Sequence, residues 1–291
     1  MTPWMSTENA IAYLNGRFLP ISEVRLSPMD RGFLFADGVY EVAPVYQGKP
    51  FRLEQHLRRL ATSLAGLRIE PRVDAGGFRE LLEGLLQRNE AQDALLYLQV
   101  TRGASSIRDH PFPANCEPTI FAICSPLKPQ PATLGSKGAA AITRPDIRWG
   151  ACNIKSISLL PNVLARQEAA DEDAAEAILV RDGEITEATA SNVFAVLNGS
   201  LVTPPKCAKI LPGITREFVL ELAARAQLPT AETTLPLEQL RTADEVWITS
   251  SSKEIWPVTR LDGEPVGSGA PGPVWRRMME LFDSVKTQER L

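Results

Sequence analysis

Apolar residues recur along this chain with two different periods, and the switches between them mark its elements. Near the N-terminus, AYLNGRFLP (residues 12–20) sets Asn15-Gly16 between two apolar segments. That dipeptide tolerates the positive φ angles of a two-residue hairpin, so the chain is predicted to open with β structure. Leu53, Leu57, Leu60 and Leu64 recur at helical spacing, and Phe78, Leu81, Leu82, Leu85 and Leu86 do so again, which predicts two amphipathic helices. Residues 95–101 (LLYLQVT) and 119–124 (TIFAIC) read as buried strands. Hairpin, helices and strands together make a small α+β unit.

The pattern then lapses. Residues 125–138, SPLKPQPATLGSKG, are rich in Pro, Gly and Ser and carry no hydrophobic period. A linker is therefore expected over 127–138, between a domain of residues 1–126 and a larger α+β domain of residues 139–291. In the second domain a helical pattern follows Leu160. Ala177 to Val180, a turn at Asp182-Gly183, the strand Asn192 to Val196 and a turn at Asn198-Gly199 read as a β-meander. A helix is predicted from near Thr215 (Phe218, Val219, Leu222, Ala223), then a strand through Glu245 to Thr249, then a final helix with Trp275, Met278, Met279 and Phe282 on one face.

Composition narrows the function. With 31 Lys and Arg against 35 Asp and Glu the net charge is −4, and 44% of the 291 residues are apolar, as in an ordinary soluble globular protein. An acidic chain lacks the concentrated positive charge that phosphate-backbone binding needs, so no nucleic-acid partner is expected. No stretch approaches the roughly 18 apolar residues of a membrane span, and MTPWMSTENA carries neither a basic nor an apolar leader region. A cytoplasmic location is expected. Cys116, Cys124, Cys152 and Cys207 are far apart with few histidines near them, so no metal site is expected and they read as small buried hydrophobes.

Four segments carry candidate chemistry. Lys155 lies in CNIKSI (152–157), among small or apolar neighbours with no acid. Desolvation there lowers an amine's pKa and frees it for Schiff-base chemistry, although a lysine can also lay its stem on apolar surface and keep its charge in water. In GEITEATASN (183–192), Glu187 sits in a polar, small-residue turn between two strands, where its carboxylate can meet a ring nitrogen or simply be solvated. LPGITR (211–216) puts a glycine directly before a helix, a workable phosphate cup and equally an ordinary helix start. Thr249-Ser250-Ser251-Ser252 is a hydroxyl-rich turn after a strand.

In order and spacing these pieces resemble the fold type IV pyridoxal phosphate enzymes, and within them the D-amino acid aminotransferase branch. The likeness starts at Met29-Asp30-Arg31-Gly32 and Phe35-Ala36-Asp37-Gly38-Val39-Tyr40-Glu41-Val42. It continues through His56-Leu57-Arg58-Arg59-Leu60, Val100-Thr101-Arg102-Gly103 and Ile154-Lys155-Ser156, and ends at Ser250-Ser251. The resemblance implies a two-domain α+β fold, with a small α/β N-terminal domain, a larger pseudo-barrel C-terminal domain carrying the cofactor lysine, and pyridoxal 5′-phosphate in the cleft. It implies that Lys155 holds the cofactor covalently, that Glu187 keeps the pyridine nitrogen protonated, and that Arg59 meets the phosphate with the backbone of Ile214 and Thr215 and with Ser251. Arg148 is expected near the 3-oxygen of the ring.

The resemblance also implies that the substrate carboxylate is held by Tyr40 with Arg108 and His110, the latter two contributed across a homodimer interface. The reaction would be ping-pong transamination between a D-amino acid, such as D-alanine, D-glutamate or D-aspartate, and a 2-oxo acid. One departure stands out: Ala104, Ser105, Ser106 and Ile107 separate Gly103 from Arg108, one residue more than the family pattern has. The alternatives are a branched-chain L-amino acid aminotransferase and a 4-amino-4-deoxychorismate lyase, against which Arg108-x-His110 and Tyr40-Glu41 speak. A cofactor-free binding relative is the alternative of another class.

Overall fold

The computed structural model describes residues 10–288, so residues 1–9, which carry most of the expectation about leader segments, lie outside the described residues. The chain forms two compact units, one of residues 10–128 with Ile154–Ser158, the other of Pro129–Asn153 with residues 159–288. No helix among the described residues is long and apolar enough to cross a membrane.

The first unit contains β1 (Ile11–Leu14), β2 (Arg17–Pro20), α1 (Arg31–Phe35), β3 (Gly38–Tyr46), β4 (Lys49–Pro50), α2 (Leu53–Leu67), α3 (Ala75–Arg88), β5 (Ala94–Thr101) and β6 (Thr119–Pro126). The hairpin forms where Asn15-Gly16 predicts it, with both residues at positive φ (45° and 90°). All pairings in the sheet, ordered β2-β1-β6-β5-β3-β4, are antiparallel. The leucines of α2 and the apolar face of α3 are buried with Val39, Ala43, Val45, Leu96, Leu98 and Val100, as the helical spacing requires.

Strand β3 escapes the hydrophobic pattern because Glu41 stands on its buried face, where an apolar residue is expected, and Pro44 interrupts it. Its edge beyond the two-residue β4 is covered by Ile154–Ser158. Tyr40 N donates to Lys155 O at 3.0 Å, Ile157 N donates to Gly38 O at 3.0 Å, and Val39 bridges Ser156. Lys155 is therefore carried by the first unit, not by the larger one in which the sequence reading placed it. Pairing across so long a separation leaves no local periodicity.

The second unit contains α4 (Leu134–Lys137), β7 (Ala139–Pro145), α5 (Leu160–Asp171), β8 (Glu176–Arg181), β9 (Glu184–Ala188), β10 (Asn192–Leu197), β11 (Ser200–Thr203), α6 (Ile214–Arg225), β12 (Thr230–Glu232), α7 (Leu237–Arg241), β13 (Glu245–Ser250), β14 (Glu254–Leu261), β15 (Glu264–Pro265) and α8 (Pro273–Gln288). The predicted linker is not all extended: Pro129 onward belongs to this unit, and α4 forms within it. The sheet runs β12-β11-β10-β13-β14-β7-β8-β9, with β15 beside β14.

The predicted meander is broken, since β10 pairs with β11 and β13 and not with β9. Yet only residues 189–191 join β9, last in the path, to β10, third in it. Three residues span about 10 Å at most, so the sheet curls back on itself. The curl brings Glu187 on β9 beside Asn192 on β10.

Candidate active site

Strand β3 points alternate side chains to opposite faces, which separates Tyr40 from Glu41. Glu41 is buried against α2, whose His56, Arg59 and Ser63 lie on the same buried face as its leucines. Arg59 grips Glu41 with Nε to Oε1 at 2.7 Å and Nη2 to Oε2 at 2.8 Å, and His56 Nδ1 lies 2.8 Å from Oε2. Burial alone raises a carboxyl, but the guanidinium and the imidazole hydrogen bond outweigh it and hold Glu41 well below the usual carboxylate range. Burial pushes His56 down, only partly offset by Glu41. A neutral His56 then donates from Nδ1 to Glu41.

Ser63 reaches the lysine segment, its Oγ accepting from Lys155 N at 3.1 Å. Lys155 Nζ lies 4.1 Å from the centre of the Tyr40 ring, and Tyr40 stacks on Tyr97 at 5.7 Å. Among the described residues no carboxylate pairs with the Lys155 amine. Burial and the neighbouring Tyr40 push the Tyr97 phenol up to about 12. Arg108 and His110 rest elsewhere on the same unit, both on the Phe35 ring, at 4.8 and 5.4 Å. The three residues expected to hold a carboxylate thus fall into two groups within one chain, and the Arg108-His110 group is exposed.

In the second unit Glu187 is a strand residue, 5% exposed, and not the turn acid that its polar neighbours predicted. Small residues allow close packing here, and the polar atoms are satisfied internally. Asn192 Nδ2 donates to Glu187 Oε2 at 3.0 Å and to Leu211 O at 2.9 Å, and Leu211 N donates to the same Oε2 at 3.0 Å. Arg148 donates from Nη1 to Glu187 Oε1. The other edge of Arg148 is held by Asp146, with Nε to Oδ1 and Nη2 to Oδ2 both at 2.9 Å. Burial opposes the charge on Asp146, but Arg148 and Thr186 overcome it and bring the carboxyl to about 2. Burial likewise pulls Arg148 down, and Asp146 and Glu187 more than offset it, pushing the guanidinium up.

The same cluster leads into the helix start. Gly213 precedes α6, no side chain caps it, and any Cβ at Gly213 would collide with Asn192 Oδ1. Asn192 lies opposite Thr249 in the β10–β13 pairing, and Thr249 Oγ1 is buried with no hydrogen-bond partner among the described residues. The helix start thus leaves its first backbone N–H groups without a side-chain cap, and the Thr249 hydroxyl without a partner among the described residues. Among the described residues no group of His, Cys, Asp or Glu could hold a metal ion.

The sequence pattern of the Amino-transferase class IV family matches residues 38–261. The chain belongs to the class IV aminotransferases. This class IV aminotransferase is 41% identical to a D-alanine aminotransferase of Bacillus licheniformis, over 93% of this chain and 95% of that one. It is 38% identical to a Staphylococcus aureus D-alanine aminotransferase, over 93% and 96%. Among solved structures, the branched-chain amino acid aminotransferase of Escherichia coli superposes with a TM-score of 0.88 at 25% identity, covering 95% and 94% of the two chains. A T.th. branched-chain amino acid aminotransferase solved with pyridoxamine 5′-phosphate superposes at 0.87 and 26%, with the same coverage.

Several residues of this aminotransferase that shape the site were not picked out in the sequence. Asp146, Asn192 and His56 each contact a predicted residue, and Asn192 and His56 lie within the segments that carry the resemblance or the candidate chemistry. Of the four cysteines expected to be buried, Cys152 is, Cys116 and Cys124 are partly so, and Cys207 is exposed.

Proposed function

We propose that this class IV aminotransferase uses pyridoxal 5′-phosphate to move an amino group between a D-amino acid and a 2-oxo acid. The observation that carries the reading is the placement of the exposed Arg108 and His110 together on the half-buried Phe35 ring, which offers paired donors to a carboxylate. It accords with the 41% identity to a D-alanine aminotransferase.

The residues present fit the cofactor. The uncapped start of α6, with the backbone of Ile214 and Thr215, Ser251 and the unpartnered Thr249 hydroxyl, suits a phosphate. Arg59 is assigned to the phosphate on the resemblance alone, and on its own unit its Nε–Nη2 edge is taken by Glu41. When bound, the cofactor supplies an aldehyde that takes up the amino group and a ring that draws electrons from the substrate α-carbon. Lys155 holds the cofactor through its amine and, once displaced by substrate, moves the proton at the α-carbon. Glu187 holds the proton of the ring nitrogen. The resemblance puts Arg148 near the 3-oxygen, and in this chain its guanidinium is tied to Glu187 and Asp146. Tyr40 closes on the substrate carboxylate from the Lys155 side.

The enzyme is proposed to work as a homodimer in which Arg108 and His110 serve the neighbouring site, in keeping with their exposure on their own chain. Small amino acids and 2-oxo acids are its substrates. A reducing compartment such as the cytoplasm suits its four free thiols.

A branched-chain reading is favoured by the superposition on the Escherichia coli enzyme at a TM-score of 0.88. Paired D and L isomers as amine donors, with 2-oxoglutarate and pyruvate as acceptors, decide between the two. D-alanine, D-glutamate or D-aspartate should react and their L isomers barely. L-leucine or L-valine outrunning every D-amino acid would replace the proposal with the branched-chain one.

A further inference from the structure

The loop that carries Arg108 and His110 is tied down at its far end by one guanidinium. Arg31, the first residue of α1 and 4% exposed, donates from Nη1 to Asp109 O at 2.6 Å and Pro111 O at 3.4 Å, and from Nη2 to His110 O at 3.0 Å. Its Nε is fixed by Asp37 Oδ2 at 2.8 Å, and Arg102 forks the same carboxylate at 2.7 and 2.9 Å. Arg102 in turn lies 3.5 Å from the centre of the Phe112 ring, with Arg68 at 4.8 Å from it. Residues 109–112 are thereby anchored from below and from the side.

Upstream of Arg108 the loop is held at its start. Asp30 bridges Ala104 and Ser105 N donates to Met29 O at 3.3 Å. The next two residues bulge outward, with Ile107 70% exposed. Beyond this bulge Arg108 and His110 rest on what lies beneath their side chains.

That support is Phe35, at the end of α1. Its half-buried ring carries Arg31 at 4.8 Å, Arg108 at 4.8 Å and the His110 ring at 5.4 Å, tilted by 59°. A guanidinium attracted to a ring face keeps its N–H groups available at its rim for a planar carboxylate, and it is held there at little conformational freedom. We infer that Phe35 is a positioning residue for the substrate carboxylate, presenting Arg108 and His110 as a preset pair on a loop whose height Arg31 fixes. The inference rests on the assignment of Arg108 and His110 to that carboxylate.

The test uses the holoenzyme with Phe35→Leu, which keeps bulk but removes the ring face, and Phe35→Tyr, which keeps it. Loss of two ring contacts should raise KM for D-alanine about 5- to 30-fold while kcat stays within about threefold. The dissociation constant of propionate, a carboxylate with no amine, read by calorimetry, should rise by the same factor. Phe35→Tyr should recover both, and the visible band of the bound cofactor should be the same in all three. Phe35→Met serves in place of the leucine variant if that one does not fold. An unchanged propionate constant in Phe35→Leu overturns the inference, as does an equal loss in Phe35→Tyr, or a fall in kcat and melting temperature with KM intact. Arg108→Ala separates the two layers of argument. If it too leaves KM and the propionate constant unchanged, the carboxylate assignment fails. If it weakens both while Phe35→Leu weakens neither, only the role of Phe35 fails.

Discussion

Replacing Asp146 with asparagine removes a buried negative charge from the second unit. The Asp146 side chain is fully buried and accepts from Arg148 Nε and Nη2 at 2.9 Å, Arg148 N at 3.1 Å, Thr186 Oγ1 at 2.8 Å and Arg181 Nη2 at 3.1 Å. Its carboxyl titrates at about 2 against an ordinary value of 3.8, which corresponds to about 2 to 3 kcal/mol of stabilisation at neutral pH. Breaking a buried ion pair outright costs about 3 to 5 kcal/mol, and Arg148 keeps Glu187 as a partner, so the lower figure is the expected one. Because the folded value lies below the unfolded one, this stabilisation is complete above about pH 4 and disappears as the pH falls through about 2. Urea unfolding of wild type and Asp146→Asn at pH 7 and at pH 2.5, with the cofactor removed from both, measures the difference directly. The other carboxylates titrate in both proteins and cancel. A gap below about 0.5 kcal/mol at pH 7 would refute the reasoning, and so would a gap of the same size at both pH values.

Lys155→Ala should abolish transamination with the fold intact, and borohydride treatment of the native enzyme should attach the cofactor to Lys155 in a peptide map; an adduct on another lysine shows the assignment to be wrong. Glu187→Gln should retain cofactor yet turn over far more slowly, because a neutral amide cannot hold the proton on the ring nitrogen; unchanged turnover at saturating cofactor counts against that role. Arg59→Ala should weaken cofactor affinity, partly restored by excess pyridoxal phosphate, and should also lower stability by about 3 to 5 kcal/mol because Glu41 is left buried beside a neutral His56. Denaturant unfolding of the apoenzyme reads that second effect alone. Arg108→Ala removes a charge-assisted contact of about 2 to 3 kcal/mol and should lower kcat/KM for D-alanine roughly 30- to 150-fold; intact turnover would mean that the carboxylate is held elsewhere.

Elements whose side chains keep a regular period were legible in the sequence. The leucines of α2 and α3 recur at the spacing that one buried helix face demands, and Asn15-Gly16 meets the backbone needs of its hairpin whatever the rest of the chain does. Motif order was legible too, since Lys155, Glu187, Arg59, Arg108 and His110 could be singled out before any contact was known. Strand β3 was not, because a buried strand that carries Glu41 for a partner on α2 looks polar to any local pattern. Nor was the placement of Ile154–Ser158 against the edge of β3, or the curl that sets Asn192 beside Glu187 and Thr249. Local chemistry and periodicity are properties of neighbours in the chain, so the sequence alone determined which residue types were available and most of the helices and turns. The partners of the charged groups were decided only by tertiary structure: Glu41 for Arg59, Glu187 for Arg148, and the Phe35 ring for Arg108. A buried charge must find its counter-charge in space, and for most of these pairs that partner lies far away along the chain.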